Sequence, residues 1–308
     1  MSRPPRTLLL RLFKAFWQPS GAITFCPDEP RLDGKRILVT GGNAGIGLET
    51  ALGLARRGAE VVILARNRSK AEAAMARISA VSEAGVHFIP LDLSDLESVG
   101  RAVDEIGRQW PGRPVDAVIA NAGIWPTRYS ASAQGFETAF AVNVLGHHVL
   151  IRRLINHTRL ADDARIVMLT GDIYILARDC TPDFRYKGAL GGQLAYCRSK
   201  LGNLWWVREF SRRYEKWPAF AVHPGVVASN LGGDLGGFVH RLKKALFIST
   251  EAGAQTSLFC AIQPGLTSGA YYHNMMGRIE FHPGDPAADS GKAAAFWELL
   301  EGLATKYI

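Results

Sequence analysis

The stretch Thr40-Gly41-Gly42-Asn43-Ala44-Gly45-Ile46-Gly47 lies between a short apolar run, Ile37-Leu38-Val39, and a segment over Leu48–Arg57. The run reads as a buried parallel strand. Leu48, Ala51, Leu52 and Ala55 recur at helical spacing, and Gly58 stands where a helix C′ glycine would. A strand, a glycine turn and a helix N-terminus together make a phosphate site: glycines admit close approach of a pyrophosphate, and unpaired N–H groups with the helix dipole stabilise its charge. The spacing Thr-Gly-x-x-x-Gly-x-Gly also suits a tight strand–helix turn with no ligand, so the remainder of the chain decides.

Working outward, apolar runs and helical patterns alternate from Lys35 onward. Strands are expected at Val61–Ala65, Val86–Leu91, Val115–Ala120, Arg165–Thr170 and Ala219–His223, with a short one at Ala270–Tyr272. Helices are expected at Ser69–Ser79, Leu96–Trp110, Gln134–Ile155, Tyr196–Tyr214, Thr250–Ala261 and Ala287–Ala304. Alternation of this kind requires crossover connections. The fold class is therefore α/β: one doubly wound Rossmann-type domain over 35–308, with a parallel sheet of about seven strands covered on both faces.

Composition sets the outer bounds. The 308 residues are 47% apolar and 21% charged, with a net charge of +8. The basic residues are dispersed, which argues against nucleic acid as a partner. Cys26, Cys180, Cys197 and Cys260 are widely spaced and form no metal-ligand pattern, which favours a reducing, cytoplasmic compartment. No apolar run approaches the roughly 20 residues that span a bilayer. Residues 1–34 are set apart as a basic amphipathic extension. Arg3, Arg6, Arg11 and Lys14 alternate there with leucines and aromatics, so 3–17 suits a membrane surface or packing against protein.

Ligands in a doubly wound sheet bind beyond the carboxyl ends of the strands. Arg66 follows the second strand with no acid beside it, which suits a 2′-phosphate and hence NADP rather than NAD. Asp92-Leu93 follows the third strand, where the carboxylate can accept from an adenine amine or serve a helix cap. Asn121-Ala122-Gly123 follows the fourth, small enough for a cofactor to lie against the backbone. Tyr196 and Lys200, at i and i+4, share one helix face. An ammonium one turn away can stabilise phenolate, which a tyrosine needs if it is to act as acid or base near neutrality.

Thr40–Gly47, Asn121-Ala122-Gly123, Asn143, Tyr196/Lys200 and Pro224-Gly225, in this order and at these intervals, resemble the short-chain dehydrogenase/reductase family over about residues 35–280. The stretches Ala195–Asn203, His223-Pro224-Gly225, Glu251–Thr256 and Phe296–Leu299 resemble its retinol-dehydrogenase-like branch. The resemblance implies reversible hydride transfer between NADP(H) and a lipophilic alcohol, aldehyde or ketone. It makes Tyr196 the acid/base and Lys200 the group that lowers its pKa and binds ribose. Asn143 would hold its helix and a proton-relaying water, while Pro224-Gly225-Val226 and Ser229 would contact the nicotinamide. It further implies that the segment after Pro224-Gly225 closes over substrate, and that subunits associate through the helices before and around the Tyr/Lys pair.

One departure stands out. The family carries a catalytic serine just after the fifth strand, whereas this chain has Gly171 or Asp172 there, depending on how the stretch is aligned. Three readings stand open: Asp172, protonated in an apolar pocket, donates to the substrate oxygen; Thr170 supplies a hydroxyl; or the site binds cofactor without efficient turnover. Asp179–Gly192, with Phe184 and Tyr186, is expected as a substrate-side loop. The 231–248 segment, with Phe238, Leu242 and Leu246 on one stripe, would form with 3–17 a basic, apolar-edged membrane face.

Overall fold

The computed structural model describes residues 23–227 and 248–308. The expected features at 3–17, Ser229 and 231–247 lie outside these residues. In chain order the elements are β1 (Arg36–Thr40), α1 (Gly45–Arg56), β2 (Glu60–Ala65), α2 (Arg68–Ser79), β3 (Val86–Pro90), α3 (Leu96–Gln109) and β4 (Val115–Ala120). A helical turn at Thr138–Phe140 and a π-helical turn at Ala141–Leu145 lead into α4 (Gly146–Asn156). Then come β5 (Leu160–Leu169), α5 (Gly188–Arg213), β6 (Ala219–His223), α6 (Thr250–Ile262), β7 (Tyr271–His273), β8 (Gly277–Ile279) and α7 (Ser290–Ala304).

The strands form one sheet in the order β3-β2-β1-β4-β5-β6-β7-β8, parallel except for the β7/β8 hairpin. Alternate residues of each apolar run enter opposite cores. Leu38, Val62, Val118 and Ile166 face the layer of α3, α4 and α5, whereas Ile37, Val61, Ile119 and Val167 face that of α1 and α6. Burial on both faces is why the strands are continuously apolar rather than alternating. Among the described residues, no helix is long and apolar enough to cross a membrane.

Four sequence expectations need correction. Among the described residues the sheet has eight strands where about seven were expected: the extra one, β8, opens at Gly277, φ +66, in a hairpin that a three-residue strand is too short to announce. Strand β5 begins at Leu160 rather than Arg165; its polar start, Ala161-Asp162-Asp163, hides it, and its register with β4 shifts there. Helix α5 begins at Gly188, eight residues before Tyr196. Gly191 and Gly192 look like helix breakers but serve close packing: a Cβ on Gly192 would stand 1.8 Å from the Pro126 carbonyl oxygen, and one on Gly191 2.4 Å from Tyr186 Cβ. Finally, the boundary at 34 cuts through packed chain. Arg57 donates to the Cys26 and Pro27 carbonyls at 2.8 and 2.7 Å, and Cys26 N–H donates to Gln255 Oε1 at 2.9 Å.

Helix α7 lies across α5 and α4, with Phe296 and Trp297 against Trp205, Trp206 and Phe210. Arg152 of α4 donates twice to the Glu301 carboxylate at 2.8 and 3.1 Å. The chain's own C-terminus thus covers part of the face through which the resemblance implied self-association.

Candidate active site

The carboxyl ends of β1, β2, β3, β4 and β5 open onto a cleft of about 970 Å³. Its floor at one end is the glycine turn. Gly41 and Gly45 adopt φ +67 and +55, the left-handed region that favours glycine. Gly47 is required for space: a Cβ there would meet Asn121 Nδ2 and the Gly41 carbonyl oxygen, each at 2.4 Å. Ala44 caps α1 with no side-chain oxygen, so the first-turn donors of Gly45, Ile46 and Gly47, all lining the cleft, are not spent on a side-chain cap.

Gly41, Asn43, Ala44, Gly45, Ile46, Gly47, Arg66, Asp92, Leu93, Asn121, Ala122, Gly123, Tyr196, Lys200 and Pro224, all expected at the site from the sequence, line the cleft. Arg66 is exposed at the mouth beside Lys70, a cation the sequence pattern does not single out. Lys70 sits three residues past Asn67, whose side chain caps α2 by accepting from Lys70 N–H at 2.9 Å. Two cations and a helix N-terminus thus meet at the end of β2, and the lining carboxylate Glu49 is paired with Arg77 at 3.2 Å. Asp92 accepts from Ser94 N–H and Oγ–H at 2.9 and 2.7 Å, while the cap of α3 is Asp95. Gly225, at φ +92, and Val226, whose carbonyl accepts from Ile248 N–H at 3.2 Å, shape the chain after β6 but do not line the cleft.

At the other end Tyr196 lies flat against Trp125, with ring centroids 5.1 Å apart and planes within 4°. Trp125, Pro126 and Thr127 line the cleft, as does Thr250; none was named from sequence, although Trp125 directly continues the Asn121–Ile124 turn. Lys200 is 4% exposed, with Nζ donating to the Leu169 carbonyl at 3.0 Å and standing 5.3 Å from the Tyr196 ring centroid. Burial lowers the lysine pKa to about 8 and raises that of the Tyr196 phenol above its usual value. Desolvation is the leading cause of both shifts, and the neighbouring Cys197 thiol adds to that of the phenol.

Asn143 is 1% exposed within the π-helical turn, where Gly146 N–H returns to the Ala141 carbonyl. Gly146 has to be bare there, since a Cβ would come within 2.5 Å of the Leu93 carbonyl oxygen. The Asn143 carboxamide accepts from Ile124 N–H at 2.8 Å and donates to Ile124 O and Ser199 Oγ at 3.0 and 2.9 Å. Ser199 in turn donates to the Tyr196 carbonyl at 2.7 Å. Asn143 does not line the cleft; it braces the two segments that carry Trp125 and Tyr196.

The departure at the serine position resolves into three distinct environments. Thr170 lines the cleft, but its hydroxyl proton is committed to the Lys200 carbonyl at 2.7 Å. Gly171 is in extended backbone, φ −176, with no hydroxyl to offer. Asp172 is 2% exposed and absent from the cleft wall; its Oδ1 accepts from the Tyr271 hydroxyl at 2.7 Å, and its Oδ2 lies 3.3 Å from His273 Nε2. The expectation that Asp172 faces the substrate oxygen is corrected accordingly. Asp172, His223 and His273 also bring three donor atoms within 4.8 Å of one another, the spacing of a metal site. However, Met275 N–H donates to His273 Nδ1 at 3.1 Å, which places the ring proton on Nε2, 3.3 Å from Asp172 Oδ2, so neither ring nitrogen offers a metal a free lone pair. The segment expected as a substrate-side loop, Asp179–Gly192, meets the cleft wall at Gly192, against Pro126 and Thr127. Its Phe184 packs under Arg198, and the Tyr186 hydroxyl donates to Arg128 O and Glu137 Oε1, each at 3.3 Å.

The sequence model of the short chain dehydrogenase family matches residues 35–173. Retinol dehydrogenase 12 of Bos taurus is 39% identical over 254 residues, 80% of each chain, and that of Mus musculus is 37% identical over the same shares. The chain belongs to the short-chain dehydrogenase family. Within it, the chain is retinol-dehydrogenase-like, and the WW domain-containing oxidoreductase of Drosophila melanogaster is 32% identical over 90% of this chain and 70% of its own. A solved structure of an uncharacterized protein from Mycobacterium paratuberculosis superposes with a TM-score of 0.72, at 30% identity, over 92% of this chain and 98% of that one.

Proposed function

We propose that the protein is an NADP(H)-dependent oxidoreductase that interconverts a lipophilic alcohol and its carbonyl compound, with Tyr196 as the acid/base. The observation that carries this reading is a single cleft holding the glycine turn and the Arg66/Lys70 cations at one end and Tyr196 with Lys200 at the other. The residues present fit a dinucleotide carrying a 2′-phosphate: an N-terminus of α1 without a side-chain cap, two cations at β2 with no acid partner among the described residues, and small residues after β4. Bound there, such a cofactor supplies or accepts the hydride.

The chain's own residues do the rest. Tyr196, with a raised pKa, holds its proton at neutral pH and can give it to an oxygen that gains negative charge. Lys200, largely an ammonium below pH 8, stabilises the phenolate left behind. Trp125 keeps one face of the phenol dry, and with Pro126 and Ile124 it gives the wall an apolar character that suits a lipophilic partner. Similarity to retinol dehydrogenases supports the same substrate class. NADPH oxidation against a panel of aldehydes and ketones tests the reading: turnover with Tyr196 intact and none in Tyr196→Phe is the expected result.

A second reading is favoured by the serine position. Thr170 donates elsewhere, Gly171 lacks a hydroxyl and Asp172 faces Tyr271, so among the described residues Tyr196 would be the lone donor to the substrate oxygen. One missing donor typically costs about 10²–10³ in rate. A protein that binds NADPH tightly yet turns over no faster than Tyr196→Phe would be a dinucleotide-binding protein acting through partners.

A further inference from the structure

His147 is 1% exposed and belongs to neither end of the cleft. A buried imidazole is costly unless both nitrogens are bonded, and here both are. Its Nδ1 lies 3.3 Å from the Asn143 carbonyl oxygen, which can only accept, so Nδ1 carries the proton. Its Nε2 is then an acceptor, and the group facing it is the Thr40 hydroxyl at 2.9 Å. The same hydroxyl oxygen accepts from Asn121 N–H and Ala122 N–H, each at 2.9 Å. Its one proton goes to His147, because the alternative acceptor, Ile119 O, is farther off at 3.3 Å. Every donor and acceptor in the cluster is thereby assigned.

The chain of bonds runs from the last residue of β1, where the glycine turn begins, through Thr40 and His147 to the π-helical turn. From Asn143 it continues through Ser199 to the backbone of Tyr196. We propose that His147 is a positioning residue, a neutral imidazole that locks the Asn143 turn to Thr40 so that the glycine turn and the Tyr196 segment are held as one rigid unit. The inference rests on the assignment of Tyr196 as acid/base. Burial lowers the His147 pKa to about 4, with the nearby Lys200 charge acting in the same direction and the Asn143 carbonyl against it. The ring therefore stays neutral throughout the pH range in which the protein would work.

The test compares His147→Leu, which has neither bond, with His147→Gln, whose carboxamide offers an acceptor and a donor. In NADPH-dependent reduction, His147→Leu is expected to lower kcat by about 10- to 100-fold through misalignment at Tyr196, with NADPH Kd moving less than about threefold. His147→Gln should recover much of kcat. Wild-type kcat in His147→Leu, or equal losses of kcat and NADPH binding in both variants, would overturn the proposal. Should the wild-type protein bind NADPH but reduce nothing, the oxidoreductase reading fails separately. The link is then read by NMR of 15N-histidine-labelled protein, with His147→Gln assigning the resonance. A proton on Nδ1 and an accepting Nε2 that shifts in Thr40→Val support it; an Nε2–H tautomer or an imidazolium at pH 6 overturns it. The spectra of wild-type protein also decide the matter if His147→Leu does not fold.

Discussion

The two ends of the cleft are built in different ways. The dinucleotide end is made mostly of backbone: bare α-carbons at Gly41, Gly45 and Gly47, and a helix start whose N-cap residue offers no side-chain acceptor. The end proposed to react is made of side chains from far-apart segments, Trp125, Asn143, Thr170, Tyr196 and Lys200, each fixed by a hydrogen bond or stack. Backbone sites tolerate few substitutions but need few partners. Side-chain sites depend on second partners, and this is where the resemblance to the family implied a departure, at Gly171 and Asp172.

The largest expected effect separates the ends outright. Tyr196→Phe should reduce NADPH-dependent turnover by about 10²–10⁴, the range for losing a positioned acid/base, while NADPH Kd stays within a factor of about three. Turnover at wild-type rate would move the chemistry to another residue. The converse variant, Arg66→Ala with Lys70→Ala, removes two cations at the mouth and leaves Tyr196 untouched. It should weaken NADPH by about 10- to 100-fold, the worth of one or two charge-assisted hydrogen bonds, and leave NADH nearly unaffected. Equal weakening of both dinucleotides would show that the cations do not read a 2′-phosphate.

A smaller effect tests the claim that the dinucleotide end is set by backbone. In Gly47→Ala the added methyl meets Asn121 Nδ2 and the Gly41 carbonyl oxygen at 2.4 Å, and the carbonyl cannot rotate aside. Overpacking of this kind costs about 1–3 kcal/mol. Thermal unfolding should begin a few degrees lower, with NADPH protecting less than in wild type. An unchanged melting temperature would mean that the α1 start moves freely against β4, contrary to the packing described.

This contrast also explains what the sequence made legible. The glycine turn, the alternation of strands and helices, Asn121–Gly123 and the Tyr196/Lys200 pair are local, and periodicity or spacing within ten residues exposes them. Gly191 and Gly192 misled because their role is contact with Tyr186 and Pro126, which lie far off in sequence or beyond a turn. Asp172 misled for a related reason. Its position after β5 suggested the cleft, but its partners Tyr271 and His273 arrive about a hundred residues later, on β7. Lys70 was missed because a lysine in a first helical turn looks solvated until Asn67 fixes where that turn points. Trp125 could have been found, since it follows the fourth strand as closely as the residues that were named.

The smallest effect is a proton, and it asks whether the two ends communicate. Lys200 is buried, and desolvation alone holds its pKa at about 8 rather than the usual 10.5. Between those values the unfolded chain binds a proton there that the native protein does not, so stability should rise with pH over that window. Above pH 10 the raised Tyr196 pKa acts the other way, because the native phenol keeps a proton that the unfolded chain loses. An anionic dinucleotide in the same cleft favours the ammonium and raises the Lys200 pKa from about 8. Binding near pH 8.5 should therefore take up a fraction of a proton. Titration calorimetry in two buffers of different ionisation enthalpy measures it directly, and Lys200→Met should abolish it. Zero uptake in the wild type would mean that the dinucleotide's charge does not reach Lys200, and that the reacting end is electrostatically closed to the end that binds phosphate.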